Sequence, residues 1–390
     1  MKIGSISVFA KKRWFKLSRD VLGVSLFLWA GMAEAAEAQE AAKLKLFGDV
    51  RVRGEVNRKE DVDDAQPFLH TRGRIRARLG LRHQTGFSGL DMGLRVVTSL
   101  ANPGNSPHQT FSADIDAEAG NPLSLDQAFI RYRPVANLTL VAGKHSYAGW
   151  QQSEVFWDGD VMLEGYTLYF RQNLGEAQSL RCFAGHYTLT DSKWQLEPFH
   201  NDTMTMWQLL YEGAYARWRM HLAFNAAHMR DANDDSNYSG DVQFADTDFT
   251  QSSLRFSSVG FVVNGFVGAE YFYRLTRSND VDKKHNHGHG GLLGLSYEDY
   301  ALTYAYYDIK ETATPFYMNH SFSLSDFAAS HPGLTGFRGH ILNLKVGLAE
   351  DVHILVRYTD QTGRPHNLYD FSEVPGRHLQ RFQLNLNASF

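Results

Sequence analysis

Arginine at every second position carries the most chemistry in this 390-residue chain. Arg72, Arg74, Arg76 and Arg78 follow one another at i, i+2, and Arg82 continues the row. Gly73, Ile75, Ala77, Leu79 and Leu81 lie between them. Upstream, Arg51 and Arg53 alternate with Val50, Val52 and Gly54; downstream, Arg95 sits between Leu94 and Val96. Successive side chains of a strand point to opposite faces, so each row projects one way. If the other face meets lipid, an arginine there would cost about 2–4 kcal/mol at the midplane, so the row must face inward. A dry interior would penalise the same charges unless they were paired. The row therefore requires a hydrated interior. Asp49, Glu55 and Asp91 are placed to neutralise part of it, while Glu60, Asp61, Asp63 and Asp64 cluster in the adjoining loop. Such a row makes either a salt-bridged wall or an anion-attracting path, and the second reading is preferred here. Arg131, Arg133, Lys144 and Arg171 extend it on later strands.

The elements that position these residues are strands. Sixteen alternating segments run from 44–57 and 70–84 to 351–360 and 378–390, with one at 88–101 and another at 291–299. No helical period or Pro/Ser linker interrupts them. Their connections alternate in length. Short turns such as Thr85-Gly86-Phe87, Ser258-Val259, Glu298-Asp299 and Ala349-Glu350 alternate with long loops near 58–69, 102–123, 147–160, 192–202, 230–248, 276–290, 312–337 and 361–377. An antiparallel transmembrane β-barrel of about sixteen strands has this asymmetry, with short periplasmic turns and long extracellular loops. Greasy parities such as Leu342, Leu344, Val346 and Leu348 would meet lipid. Tyr132, Tyr166, Trp207, Trp218, Tyr271 and Tyr273 would supply interfacial girdles.

In the last segment, Phe382, Leu384, Leu386, Ala388 and Phe390 alternate with Gln383, Asn385, Asn387 and Ser389. This strand, closed by the terminal Phe390, resembles the final strand of bacterial outer-membrane barrels. Residues 1–38 read as a secretory signal, with a basic stretch (Lys11, Lys12, Arg13, Lys16, Arg19), an apolar run over 21–32, and cleavage near 35 or 38. The barrel then spans 39–390.

A further resemblance rests on four motifs. Leu125-Asp126-Gln127-Ala128-Phe129 begins one strand, and Ala142-Gly143-Lys144 ends the next. Phe156-Trp157-Asp158-Gly159-Asp160 and Leu163-Glu164-Gly165 follow. This order, over about 125–170, resembles the "putative porin" family of Gram-negative outer membranes; alginate-export barrels are similar in outline. The family implies a sixteen-stranded diffusion pore and does not supply a substrate. No cofactor is expected, and the expected partners are outer-membrane lipid, lipopolysaccharide and the barrel-assembly machinery. Homotrimers are common among sixteen-stranded porins, although no trimer contact is legible here.

Two loops are candidates to narrow such a pore. Loop 102–123 carries Asp114, Asp116 and Glu118; loop 147–160 carries Trp150, Glu154, Phe156, Trp157, Asp158 and Asp160. Folded inward, either would face the arginines and set up a transverse field, and the sequence leaves open which does. His285, His287 and His289 have the spacing of a metal tract but read as a solvated loop. Asp231, Asp234 and Asp235 lack full EF-hand spacing. No nucleophile motif points to an enzyme, and Cys182, the single cysteine, excludes an internal disulfide. A net charge of −4 does not point to nucleic acid. The expected function is passive diffusion of small hydrophilic solutes with an anion preference. The alternatives are export of an acidic polysaccharide, for which Arg at matching parity on most strands would argue, a plugged structural or adhesive barrel, and a barrel hydrolase.

Overall fold

In the computed structural model, the described residues are 44–60, 68–85, 87, 89–98, 109–113, 123–157, 159–160, 162–188, 203–230, 247–275, 286–310, 313, 337–363 and 378–390. They form one antiparallel sheet closed on itself. The strands are β1 (Leu44–Glu60), β2 (Phe68–Gln84), β3 (Leu90–Thr98), β4 (Gln109–Ala113), β5 (Leu123–Val135), β6 (Leu138–Ser146), β7 (Met162–Gly175), β8 (Gln178–Thr188) and β9 (Thr203–Tyr215). They continue with β10 (Trp218–Arg230), β11 (Thr247–Ser258), β12 (Asn264–Leu275), β13 (His287–Tyr297), β14 (Tyr300–Ile309), β15 (Phe337–Ala349), β16 (Val352–Gly363) and β17 (His378–Ser389).

These seventeen strands make sixteen staves. β3 pairs with Arg78–Gln84 of β2, and β4 continues in the same direction along Arg72–Ile75. One stave is thus built from two strands. The expectation of a strand over 88–101 followed by a loop over 102–123 needs correction here. Beyond the reach of β3, the exposed edge of β2 still needs hydrogen-bond partners, and Gln109–Ala113 supplies them. The other staves lie where the alternation places them, with their ends shifted: β12 begins only at Asn264, so the connection after Ser258 spans 259–263 instead of a two-residue turn.

Closure joins the last strand to the first. β17 pairs with β1 from Glu60↔His378 to Asp49↔Ser389. Two backbone bonds of 3.1 Å then link Gly48 with Phe390 in both directions. The Phe390 ring lies over Gly48, where a Cβ would collide with it. The terminal aromatic therefore sits in the closing seam. Tight turns join β5–β6, β7–β8, β9–β10, β13–β14 and β15–β16 at the end of the barrel that also holds Phe390. Ala216 and Glu298 take positive φ in two of these turns, where a two-residue reversal demands it.

Alternation sorts the faces. Outward residues are apolar and aromatic: Tyr166, Trp207, Trp218, Tyr271, Leu293, Leu295, Tyr300, Phe382 and Leu384 are all exposed on the outer face. Inward residues fall into two groups. On β1, β2 and β17 most are charged or amidic, with Leu379 a buried exception; on β7 to β15 many are apolar and fully buried.

Candidate functional site

The register of β1, β2 and β17 assembles the arginine row into a wall. Across β1 and β2, Asp49 faces Arg78, Arg51 faces Arg76, Arg53 faces Arg74, and Glu55 faces Arg72. On the far side of β1, Asn387, Asn385 and Gln383 face Arg51, Arg53 and Glu55. All lie on the inward parity. The guanidiniums are held by fixed partners. Arg51 Nε donates to Asn387 Oδ1 at 2.8 Å, and Arg53 Nε to Asn385 Oδ1 at 2.6 Å. Asp49 accepts from Arg76 Nη2 at 2.7 Å and from Arg78 Nε at 2.6 Å. Glu55, wholly buried, accepts from Arg72 (2.7 Å), Asn57 (2.7 Å) and Gln383 (2.8 Å). Arg381, also inward, donates to Asn57 at 2.7 Å.

Toward the turn end, Asp91 bridges Arg82 (3.1 Å) and Arg131 (2.9 Å), and Asp126 pairs with Arg95. Arg133 and Arg171 are exposed at that end. Lys144 must be moved out of the row. It shares the outward parity of β6 with Leu140 and Ala142, faces Ala128 and Glu164 across the sheet, and pairs with Glu164 at 2.7 Å. Its alternation partner His145 is the inward one, buried beside Thr167 and Tyr187.

Arginines also line the interior where the first three strands gave no hint of them. Arg181 pairs with Glu212 at 2.6 Å. Arg255 lies 3.7 Å from the Phe266 ring centroid, a cation–π contact. Arg274 is buried beside Phe249, and Arg357 donates to Asn343 at 2.8 Å. Each stands alone on its strand, so no row announces it. The available signal was parity relative to lipid-facing neighbours, such as Phe256 beside Arg255.

Of the two loops proposed to narrow the interior, 147–160 is the one seen inside the barrel. Asp114, Asp116 and Glu118 of the other, and Asp158, lie outside the described residues. Residues 147–153 dock on the wall of β9 to β12. Trp150 exchanges two hydrogen bonds with Gln208 (2.8 and 2.7 Å) and stacks on His221 at 5.2 Å. Gln152 donates to the Ala269 carbonyl (2.7 Å) and Ser153 to Glu270 (2.6 Å). Glu270 is fully buried but satisfied, since Gln251 and Tyr307 also donate to it, both at 2.9 Å. Burial pushes the Tyr147 phenol well above its ordinary value.

Val155, Phe156 and Trp157 then insert among Met204, Met206, Phe249, Phe272, Tyr307, Phe337 and Ile341. On either side of them the loop reaches the opposite wall. Glu154 lies 3.6 Å from Arg357. Asp160 lies 3.7 Å from Arg51 and 3.5 Å from Arg78, and it pairs with Arg76. The loop thus contacts both sides of the interior. Its Val-Phe-Trp run was the missed signal, because three large apolar residues in a long loop need a dry partner.

The histidine tract also changes place. His287 and His289 open β13 instead of lying in a loop, and His289 is exposed on the parity of Leu293 and Leu295. The strand begins earlier because Gly288 to Gly290 pair with both β12 and β14. His285 and residues 231–237 lie outside the described residues. No metal-holding group occurs among the described residues.

Residues 69–197 match the model of the family described as "Putative porin". No curated protein sequence matches the chain. Among solved structures, the chain is similar to OprB of Pseudomonas putida, at TM-score 0.57 and 10% identity, over 93% of this chain and 97% of that one. It is also similar to the outer membrane channel DcaP of Acinetobacter baumannii, at TM-score 0.51 and 13% identity, over 89% and 97%. An anion-selective porin from Comamonas acidovorans matches at TM-score 0.50 and 13% identity, over 89% and 99%. At these identities the likeness is one of fold. The chain is a sixteen-stave porin-type barrel, and the family likeness read from residues 125–170 extends over 69–197, the segment holding the arginine row of β2 and the inserted loop.

Proposed function

We propose that this chain is an outer-membrane porin, a non-catalytic channel through which small hydrophilic solutes diffuse, with a preference for anions. The observation that carries the reading is the inward arginine wall. Its cations outnumber the carboxylates set against them, and Arg51, Arg72 and Arg82 keep a quarter to a third of their side-chain surface exposed. An exposed cation lining a narrow aqueous path raises local anion concentration without holding the ion, as conduction requires. The expected setting is the Gram-negative outer membrane, reached by export and removal of residues 1–38 and by barrel assembly. Lipid and lipopolysaccharide would surround the barrel, and a homotrimer is the expected assembly.

The direct test is the reversal potential of purified protein in a planar bilayer across a KCl gradient. Stepwise conductance with an anion-sided value supports the reading. A cation-sided value would keep the channel and remove the arginines as its selectivity device, and no conductance from folded protein would favour a plugged barrel.

Export of an acidic polysaccharide gains support from one observation. Inward arginines also occur on β8, β11, β12 and β16, outside the wall of β1, β2 and β17. The loop tied to both walls counts against threading a polymer. Block of chloride current by an alginate oligomer, reversed by voltage in the direction of threading, would favour export.

A further inference from the structure

Asp160 is the point where the inserted loop meets the arginine wall, and its surroundings are unlike those of the other wall carboxylates. Asp49, Glu55 and Asp91 are strand residues, in register with Arg78, Arg72 and Arg131, which they neutralise. Asp160 arrives from a loop, and three guanidiniums converge on it, from Arg51 on β1 and from Arg76 and Arg78 on β2. Those three are positioned without it. Arg51 is held by Asn387, and Arg76 and Arg78 both by Asp49. Asp160 and Arg51 are both partly exposed, 21% and 25% by side chain, so water reaches the contact.

We propose that Arg51, Arg76 and Arg78 form a preformed binding site for small oxyanions, occupied in this conformation by the Asp160 carboxylate as an internal substitute for the solute. This deepens the porin reading and rests on it. The chemistry is that of the guanidinium fork, whose paired N–H donors match two oxygens of a carboxylate or phosphate and have no such match in chloride. The internal carboxylate is held between the buried Trp157 and the start of β7, but its ion pairs are partly hydrated and therefore weak. A solute oxyanion can therefore exchange with it, and Asp160 returns when the solute leaves. The site would bind oxyanions without trapping them.

The test measures inorganic phosphate against acetate, with chloride as the anion lacking a fork match. Block of chloride current in planar bilayers is one readout; calorimetric titration of detergent-solubilised, heat-modifiable protein is the second. Removing the competitor in Asp160→Asn should tighten phosphate by roughly fivefold, the scale of competition from a partly hydrated ion pair. Acetate should gain similarly if the site takes any oxyanion, and not at all if it takes phosphate alone. Asp160→Glu, which keeps the carboxylate and guards against misfolding, should stay within about twofold of the parent protein, inside what a weak ion pair contributes. Glu154→Gln removes one charge from the same loop and should leave phosphate affinity unchanged. Equal gains in Asp160→Asn and Glu154→Gln would reduce the effect to a general field and overturn the assignment, as would no gain in Asp160→Asn. Adding Arg51→Gln to Asp160→Asn should abolish the gain. Calorimetry separates the two levels, since folded protein that binds phosphate but does not conduct would overturn the porin reading and leave the site standing.

Discussion

The two walls of the interior are built by the same alternation and end in opposite states. On β1, β2 and β17, most inward residues are arginine, carboxylate and amide, tied into a network that water still reaches. On β9 to β15, inward residues include Met204, Met206, Phe249, Phe272, Tyr307 and Ile341, and they are dry. Parity decides whether a side chain points in, but not what it meets there. The charged wall satisfies itself across strands. The apolar wall is covered by Val155, Phe156 and Trp157, which come from another part of the chain.

Breaking the dry wall should have the largest effect. Trp157→Ala should cost the loop's docking about 3–5 kcal/mol, as for a buried aromatic elsewhere. Single-channel conductance should rise as the loop detaches. Unchanged conductance would mean that the hydrogen bonds to Gln208 and Glu270 hold the loop unaided. Breaking the charged wall from within comes next. Glu55→Gln leaves Arg72 and Arg381 short of a buried carboxylate, at a cost of about 3–5 kcal/mol. The temperature at which the folded gel species disappears should fall, and a value equal to the parent's would show that the amides Asn57 and Gln383 suffice.

A smaller effect separates inside from outside. Leu293→Arg on the outer face should destabilise by about 2–4 kcal/mol, whereas Thr303→Arg, inward on β14, should cost far less. Equal losses, read by the same thermal assay in lipid vesicles, would contradict the assignment of faces. The smallest contrast concerns selectivity. Arg82→Gln should reduce the anion permeability ratio, while Lys144→Gln should leave it unchanged, because the Lys144–Glu164 pair lies on the outer face. Its loss should cost no more than about 1 kcal/mol, as for other partly exposed pairs.

Several features were legible because they depend on chemistry within one strand. The row Arg72 to Arg78 had to face inward, since lipid would not tolerate it. The last strand had to turn Phe382 and Leu384 outward and Gln383 and Asn385 inward. Lys144 was misplaced because a single charge beyond Leu140 and Ala142 was read by its sign and not by its parity. The split of one stave into β3 and β4 was missed because Gln109–Ala113 has no strong alternation of its own; the open edge of β2 recruits it. The glycine-rich surroundings of His287 and His289 resemble a turn in sequence, yet two neighbouring strands supply partners on both sides.

The sequence by itself determined most of the staves and their faces, and the sign of the charged wall. These follow from local periodicity and from the cost of placing an arginine in lipid. Only the tertiary structure decided which loop enters, which inward residues become dry, and which carboxylate meets Arg51, Arg76 and Arg78. Those outcomes depend on residues roughly a hundred positions apart meeting across the interior, such as Asp160 with Arg51 and Ser153 with Glu270. No period along the chain encodes such a meeting. It follows from closure of the sheet, which brings the two walls within reach of one loop.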